Sequence, residues 1–426
     1  MRSGCRPSLK GSFVALLVAL ACAAPEPDEG PQPEATPVEP TAATERVEVG
    51  LERLGEAPGE ILHGKRIGLV VHAASVTAEG RHAIEVFSEH GLNVVRLLTP
   101  EHGLASRAAA GERVESGVDP VTGLPVVSLY GERRKPTPAD LEGLDVLVFD
   151  LQGAGVRFYT YVSTLILCLE AAAESNLEFV VLDRPNPLGG ERVEGPVSAA
   201  RNVVAESFVN LAPGPLVHGL TLGEMARYVN SRLSQPVNLT VVPMAGWQRQ
   251  MVWADTGRPW VPPSPNLRSA EAALVYPGTA LLEATNVSEG RGTAEPFLMI
   301  GAPWLDPTAI AVDVPGFELE PAGFIPESSP AAPQPRYLGE TCTGFRVHVT
   351  AAAGAEPYRL GVSLLISLMQ QPGFAWRREG QALTRLVGTD RLWLDLQAGK
   401  SLDEILAADE PEQRAWRESR QASLLY

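Results

Sequence analysis

The chain has 426 residues, of which 45% are hydrophobic and 20% are charged, a size and balance typical of about two globular domains. Its formal net charge of −16 argues against a nucleic-acid partner, because a polyanion would be repelled. Seven histidines and four cysteines, with no H-E-x-x-H and no C-x-x-C pattern, also argue against a zinc site. We therefore expect neither a metal nor a cofactor.

Residues 1–22 have the pattern of a targeting segment. Three basic residues precede an apolar run that is too short to span a bilayer. The run ends in Ala19-Leu-Ala-Cys22, which resembles a bacterial lipoprotein cleavage site with Cys22 as the lipidated first mature residue. Ordinary cleavage near Ala23 is the alternative. Both predict export to the cell envelope, and lipidation would anchor the protein in a membrane, with the body periplasmic or at the cell surface.

The next segment, residues 23–47, consists mainly of Pro, Glu, Ala and Thr. It has almost no large apolar residue and cannot bury a core. This composition predicts a disordered, solvated tether between the export segment and the folded body.

Residues 48–268 alternate short apolar runs with helical patterns. The predicted strands are Arg66–Val71, Asn93–Leu98, Pro125–Tyr130, Leu144–Leu151, Glu178–Leu182 and Leu239–Pro243. Helical periodicity or a capping box marks Thr77–His90, Tyr161–Asn176 and Thr221–Leu233. Strands that alternate with helices predict βαβ units and an α/β fold with a mostly parallel sheet.

We place a domain boundary near Ser269, so that residues 269–426 form a second, smaller α/β or α+β domain. Phe345–Val349 alternates like a strand, and Tyr358–Met369 has the pattern of an amphipathic helix. The capping box Ser401-Leu-Asp-Glu404 begins a further helix. The Pro-rich stretch Pro326–Pro335 is predicted to be an exposed loop.

Polar residues follow three of the predicted strands at their carboxyl ends. These groups are Glu101-His102, Asp150-Leu-Gln152 and Asp183-Arg-Pro-Asn186. Ligands of parallel sheets bind beyond the carboxyl ends of the strands, so the shared location predicts one site. Each group also has a structural alternative, such as a capped turn at Glu101 or an Asx-type turn at Asn186 ahead of a proline.

The stretch Thr285–Thr293 combines Asn286, Glu289 and Arg291 with three hydroxyl side chains and two glycines. This composition weakens both helices and strands and indicates a loop that directs polar groups at a partner. An arginine in such a loop often forms a bidentate pair with a substrate carboxylate. The alternative is an internal ion pair of Arg291 with Glu289 or Glu283.

Two common catalytic patterns are missing from the chain. Gly153 and Gly155 are followed by Phe158, where a dinucleotide-binding G-x-G-x-x-G requires glycine, so we do not expect dinucleotide binding. No G-x-S-x-G occurs, which argues against an α/β-hydrolase nucleophile. His72 is a lone histidine near a strand end, for which a core or capping role is the simpler interpretation.

Taken in order, these motifs resemble those of the exo-β-N-acetylmuramidases of bacterial peptidoglycan turnover, the NamZ-type family. The resemblance runs from about Gly64 to the end of the chain. The segments that carry it include Gly68–Val70 with His72, Pro100–Gly103, Asp150–Gln152, Arg157–Tyr161, Leu182–Pro187, Pro263–Asn266, Tyr276–Thr279, Thr285–Thr293 and Leu424–Tyr426.

The resemblance implies a Rossmann-like amino-terminal domain, a smaller carboxyl-terminal domain and an active-site cleft between them. It implies a glycosidase that removes N-acetylmuramic acid from the non-reducing ends of peptidoglycan-derived oligosaccharides or muropeptides. Glu101 would be the catalytic acid, with Glu289 or Asp150 as the second carboxylate. Arg291 or Arg157 would pair with the lactyl carboxylate of the sugar. The residues expected to bind substrate are His72, His102, Gln152, Arg157, Asp183, Arg184, Asn186, Asn266, Asn286 and Arg291.

Two other functions stay open from the sequence. Val71, Ala105 and Gly153 depart from the residues usual in the family near the presumed site. These departures would suit a non-catalytic lipoprotein that binds the cell wall. The second alternative is a hydrolase of another peptidoglycan bond, an ester or an amide.

Overall fold

The computed structural model describes residues 46–56, 60–198 and 207–426. The predicted export segment, Cys22 and the tether up to residue 45 lie outside the described residues. Within the described ranges, no helix is both long enough and apolar enough to cross a membrane.

A seven-stranded sheet forms the centre of the amino-terminal part. Its strands are β1 Ile67–Val71, β2 Val94–Thr99, β3 Gly117–Val118, β4 Pro125–Ser128, β5 Val146–Asp150, β6 Glu178–Leu182 and β9 Leu239–Val242. The order across the sheet is β3-β4-β2-β1-β5-β6-β9. Neighbouring strands run parallel except for the antiparallel β3–β4 pair. With β3 set aside this is the strand order of a Rossmann fold, and the predicted α/β class is confirmed.

The two central strands show why the sequence signal was clear. Every residue of β1 and β5 is buried, because helices cover both faces of a parallel sheet and each strand becomes one continuous apolar run. A short antiparallel pair lies outside this sheet, formed by β7 Glu194–Val197 and β8 Pro215–Val217.

The helices of the amino-terminal part are α1 Ala83–Glu89, α2 Pro138–Leu141, α3 Thr160–Glu174 and α4 Leu222–Asn230. The predicted capping box at Thr221 is confirmed, since the Thr221 side chain accepts the Glu224 backbone N–H. Helix α3 follows β5 and begins beside the carboxyl ends of the strands. It therefore directs its amino terminus at the edge where a ligand is expected.

The carboxyl-terminal part is a smaller α+β unit. Strands β10 Met299–Ala302, β11 Phe317–Phe324 and β12 Cys342–Val349 form an antiparallel sheet in the order β10-β12-β11. Its helices are α5 Ala270–Thr279, α6 Pro357–Leu368, α7 Gln381–Val387, α8 Arg391–Gln397 and α9 Leu402–Ser419.

Helices α5 and α6 pack with unusually close backbones. A Cβ atom on Gly278 would lie 2.0 Å from the carbonyl oxygen of Pro357, so only glycine fits at this position. The contact fixes α5 and the segment that follows it, from which the Thr285–Thr293 loop extends.

Candidate active site

Glu101 lies in a tight turn immediately after β2. His102 and Gly103 both adopt left-handed backbone angles, with φ of 73° and 76°, and so turn the chain sharply away from the strand. The Glu101 side chain is left beneath the amino terminus of α3, with only 7% of the residue exposed. Local backbone geometry thus places a carboxyl group at the edge of the sheet.

Two hydrogen bonds fix the orientation of this carboxyl group. The backbone N–H of Gly111 donates to Oε1 at 2.7 Å, and the hydroxyl of Thr160 donates to Oε2 at 2.8 Å. Thr160 is the first residue of α3, so the start of this helix orients the Glu101 carboxyl group. The loop backbone at Gly111 and the first residue of α3 thus fix the position of the Glu101 carboxyl group.

A cavity of about 150 Å³ opens beside Glu101. From the segments before residue 269 it is lined by Glu101, His102, Tyr130, Phe158, Tyr159, Thr160, Ser264 and Asn266. From the later segments it is lined by Tyr276, Glu283, Arg291, Phe297 and Leu386. Residues far apart in the sequence thus meet in one cavity, and Glu101, His102, Asn266 and Arg291 of the predicted site are among them.

Aromatic rings form much of the cavity wall. The ring of Tyr276 packs edge to face against Phe158 and Phe297, with centroid distances of 5.3 and 4.7 Å. Burial raises the pKa of Tyr130 to about 12, and the nearby Glu101 carboxylate adds to the rise. These tyrosines are therefore neutral hydroxyl groups on a rigid apolar wall, a surface suited to one face of a sugar ring.

His102 lines the same cavity as a neutral base. Burial lowers its pKa, although the neighbouring Glu101 carboxylate opposes the shift. Its Nδ1 lies 2.7 Å from the carbonyl oxygen of Ala108, and a carbonyl only accepts, so Nδ1 carries the proton. Nε2 is then available as a hydrogen-bond acceptor.

A second cavity, of about 470 Å³, shares Ala110, Glu283 and Arg291 with the first. Glu289, Arg336 and Arg377 also line it, together with residues 331–335. The prediction of an exposed loop at Pro326–Pro335 is wrong for part of this stretch, because Ala331, Ala332 and Pro335 are buried.

Arg291 links the two cavities through two ion pairs. Its Nη2 lies 2.7 Å from Glu283 Oε1, and its Nε lies 2.9 Å from Glu289 Oε1. Burial alone would lower the pKa of Arg291, but the Glu283 and Glu289 carboxylates raise it above its ordinary value. The internal pairing that the sequence left open as an alternative is present, with both glutamates.

Asp150 and Arg184 form a buried ion pair away from the cavities. The Arg184 guanidinium donates to both carboxylate oxygens, with an Nη2–Oδ2 distance of 2.8 Å. Asp150 is 0% exposed, and neither residue lines the cavities of the described chain. The geometry does not support Asp150 as the second carboxylate: the pair joins the ends of β5 and β6.

Asp183 and Asn186 also bind other parts of the protein. Asp183 accepts hydrogen bonds from Thr221 Oγ1 at 2.7 Å and from the hydroxyl of Tyr426 at 2.8 Å. Burial raises the pKa of Asp183 to about 6. Asn186 accepts from the backbone of Leu188 at 2.9 Å, which is the Asx-type turn that the sequence offered as an alternative.

The remaining predicted ligands are paired with other parts of the protein. The backbone N–H of Gln152 donates to His72 Nε2 at 3.0 Å, and the Gln152 side chain donates to the carbonyl of Pro185 at 2.8 Å. The side-chain amide of Asn286 donates to the Gly373 carbonyl at 2.8 Å and accepts the Ala375 backbone N–H at 2.9 Å. Arg157 donates to Asn210 and to the Val387 carbonyl, and burial lowers its pKa to about 9. None of these four lines the two cavities.

Family models match the chain in two consecutive parts. The amino-terminal model of exo-beta-N-acetylmuramidase NamZ matches residues 67–271, and the carboxyl-terminal model matches residues 274–426. The chain belongs to the NamZ family.

Similar proteins support this membership over the whole folded body. The peptidoglycan beta-N-acetylmuramidase NamZ of Bacillus subtilis strain 168 is 37% identical over 394 residues, which are 91% of this chain and 93% of that protein. Two crystal structures of DUF1343 family proteins from Bacteroides fragilis NCTC 9343 have the same fold. One has a TM-score of 0.80 at 32% identity, and the other 0.73 at 31%; each comparison covers 89% of this chain and 99% of the other.

The two cavities are also lined by residues that were not named as candidate site residues from the sequence. They are Tyr130, Tyr159, Thr160, Ser264, Tyr276, Glu283, Arg336 and Arg377. Tyr130 ends a predicted strand and Thr160 begins the helix after β5, so the rule that ligands bind at strand ends applies to both. Arg336 lies in a turn and Arg377 begins a short 3₁₀ segment, Arg377–Gly380, and no local sequence signal distinguishes either residue.

Proposed function

We propose that the chain is an exo-acting glycoside hydrolase that releases N-acetylmuramic acid from the non-reducing ends of peptidoglycan fragments. The observation that carries the proposal is the buried, doubly hydrogen-bonded Glu101 carboxyl group in a cavity walled by aromatic rings. Membership of the NamZ family supports the same reaction.

Family membership supports exo action, because both matched models are those of exo-beta-N-acetylmuramidase NamZ.

In the proposed mechanism Glu101 acts as the general acid. It donates its proton to the glycosidic oxygen while the bond from that oxygen to the anomeric carbon breaks, and the leaving chain departs as an alcohol. Water adds to the anomeric carbon and gives up a proton, so the products are free N-acetylmuramic acid and a chain shortened by one residue.

A second carboxylate is needed to activate this water or to stabilise the positive charge at the anomeric carbon. We assign this role to Glu283, which lines the same cavity as Glu101. Glu289 lines only the adjoining cavity, and Arg184 binds Asp150 outside both. Arg291, at 2.7 Å from Glu283, positions this carboxylate.

A product assay tests the proposal. The purified folded body is incubated with a defined disaccharide of N-acetylmuramic acid linked to N-acetylglucosamine, and the products are identified by mass. Release of intact N-acetylmuramic acid is expected. Binding without turnover would instead support a cell-wall-binding protein, and cleavage of an ester or amide would support the other alternative.

We further propose that the protein is an exported lipoprotein anchored through Cys22. The basic residues, the short apolar run and the small residue before Cys22 support this localisation. Cys22→Ser should abolish metabolic labelling with a fatty acid and release the body from the membrane fraction. Cys5→Ser is the matched control, because Cys5 precedes the apolar run; labelling that survives Cys22→Ser would refute the anchor.

A further inference from the structure

The larger cavity carries an excess of positive charge in an acidic protein. Three guanidinium groups line it, those of Arg291, Arg336 and Arg377, against the two carboxylates of Glu283 and Glu289. The whole chain has a formal charge of −16. A local positive excess against that background attracts an anion.

The three arginines differ in how far their charges are already compensated. Arg291 contacts two carboxylates at 2.7 and 2.9 Å. Arg336 donates to the Val287 carbonyl and lies 3.5 Å from Glu289 Oε2. Arg377 donates only to the backbone carbonyl of Glu283, at 3.2 Å.

Arg377 is therefore the guanidinium with the most capacity for a ligand. Within the described residues it has no carboxylate partner, although Glu283 and Glu289 line the same cavity. A planar guanidinium that is not already paired with a carboxylate can form a bidentate pair with the carboxylate of a ligand.

The backbone that presents Arg377 is unusually well fixed. The ring of Trp376 packs edge to face between Phe374 and Trp393, with centroid distances of 5.1 and 4.9 Å. The Trp376 backbone also forms a bridge with Thr285. Arg377 is thus attached to an anchored residue rather than to a free loop.

The residues after Arg377 turn the chain through strained geometry. Arg378 and Glu379 have φ of 51° and 50°, and Gly380 has φ of 80°. Two consecutive non-glycine residues in the left-handed region are uncommon and persist only where the surroundings enforce them. Here the Trp393 ring covers Gly380 and keeps the turn in place.

We propose that Arg377, assisted by Arg336, forms a carboxylate subsite that binds the lactyl carboxylate of the terminal sugar. This inference rests on the proposed function, which places the sugar ring beside Glu101. The two cavities adjoin at Ala110, Glu283 and Arg291, so a carboxylate carried by a ring in the smaller cavity can extend into the larger one.

The structure argues against the two arginines that the sequence suggested for this carboxylate. Arg157 is fully buried and donates to Asn210 and to backbone carbonyls. Arg291 is already bound to Glu283 and Glu289. The subsite therefore uses a residue, at the start of the 3₁₀ segment Arg377–Gly380, that lies outside every motif recognised in the sequence.

The test compares two chromogenic muramides that differ in one group. One carries the free lactyl carboxylate, and in the other this group is an uncharged N-methylamide. Arg377→Gln should lower kcat/KM for the acid by about 10- to 100-fold, the range for one hydrogen bond to a charged group. The value for the amide should change little, so the preference for the acid is lost.

Arg378→Gln is the matched control, because it removes the same charge one residue away and Arg378 does not line the cavity. It should retain the wild-type preference, and Arg377→Lys should restore part of it. If Arg377→Gln keeps the wild-type ratio of acid to amide, the subsite is refuted while the proposed function stands. If the wild-type protein cleaves neither compound, the proposed function is overturned and the subsite with it.

Discussion

Replacing Glu101 with Gln removes the proposed proton donor and changes little else. The amide oxygen can accept the Gly111 N–H in place of Oε1, at the present 2.7 Å. The amide N–H₂ then faces Thr160 Oγ1, at the present 2.8 Å, and the hydroxyl can rotate to accept instead of donate. The side chain at position 101 can therefore keep a hydrogen bond to Gly111 and another to Thr160.

The substitution should have a small effect on stability and a large effect on the rate of catalysis. Both hydrogen bonds lose the charge of the carboxylate, so the unfolding free energy should fall by about 1–2 kcal/mol and the Tm by a few degrees at most. General acid catalysis contributes about 10²- to 10⁴-fold. Loss of the donor should therefore lower kcat by that factor, or about 3 to 5 kcal/mol of transition-state stabilisation.

A comparison of two leaving groups tests the role of Glu101 as proton donor more directly. A sugar hydroxyl is a poor leaving group and needs the proton, whereas a nitrophenolate departs without it. The deficit of Glu101→Gln should therefore be large for the natural disaccharide and small for a nitrophenyl muramide.

Glu112→Gln is the matched control, because Glu112 is exposed on the same loop and its carboxylate accepts from Ala109 at 2.7 Å. It should leave both rates unchanged. If Glu101→Gln cleaved the disaccharide at the wild-type rate with an unchanged Tm, Glu101 would not be the acid.

Three further changes test the scaffold around the site. Arg184→Met leaves the Asp150 carboxylate buried and unpaired, and should lower the unfolding free energy by about 3–5 kcal/mol in urea denaturation. The value of kcat/KM per folded molecule should stay near wild type. A loss of activity without a loss of stability would indicate that Asp150 takes part in catalysis. Tyr426→Phe removes the hydroxyl that donates to Asp183 and should cost about 1–3 kcal/mol by thermal denaturation; an unchanged Tm would show that this contact contributes nothing. Burial lowers the pKa of His218 to about 3 from an ordinary 6.5, so below pH 6.5 the unfolded chain binds a proton that the folded chain does not, and stability falls as the pH falls. His218→Asn should reduce the loss of unfolding free energy between pH 6.5 and 5 by about 2 kcal/mol in urea denaturation. If the unfolding free energy of the variant depends on pH as in the wild type, His218 is not the group responsible.

The central sheet was predictable because its signals are local. Each buried parallel strand is a short apolar run, and the runs predicted at β1, β2, β4, β5, β6 and β9 are all present to within a few residues. Helix α5 was not recognised, because Pro277 lies inside it and a proline normally argues against a helix interior. Contact with α6 stabilises the helix despite the proline, and such a contact is not visible in the sequence.

The site was only partly predictable, because strand ends do not reveal where a side chain finds its partner. Glu101, Asp150 and Asp183 all come directly after or at the end of parallel strands. Arg184 binds Asp150, and Tyr426, at the far end of the chain, binds Asp183. Glu101 instead accepts from a backbone N–H and a threonine hydroxyl, which leaves its carboxyl group at the cavity.

The motif Arg157–Tyr161 shows why residues remote from the substrate still belong to the site. Arg157 is bound to the Val387 carbonyl, and the Tyr161 hydroxyl donates to the carbonyl of Pro263 at 2.7 Å. These two anchors fix the start of α3 from both sides. Thr160 lies between them and holds the Glu101 carboxyl group. The motif thus acts through position, because a shift of the helix start would move the hydroxyl that orients the proposed acid.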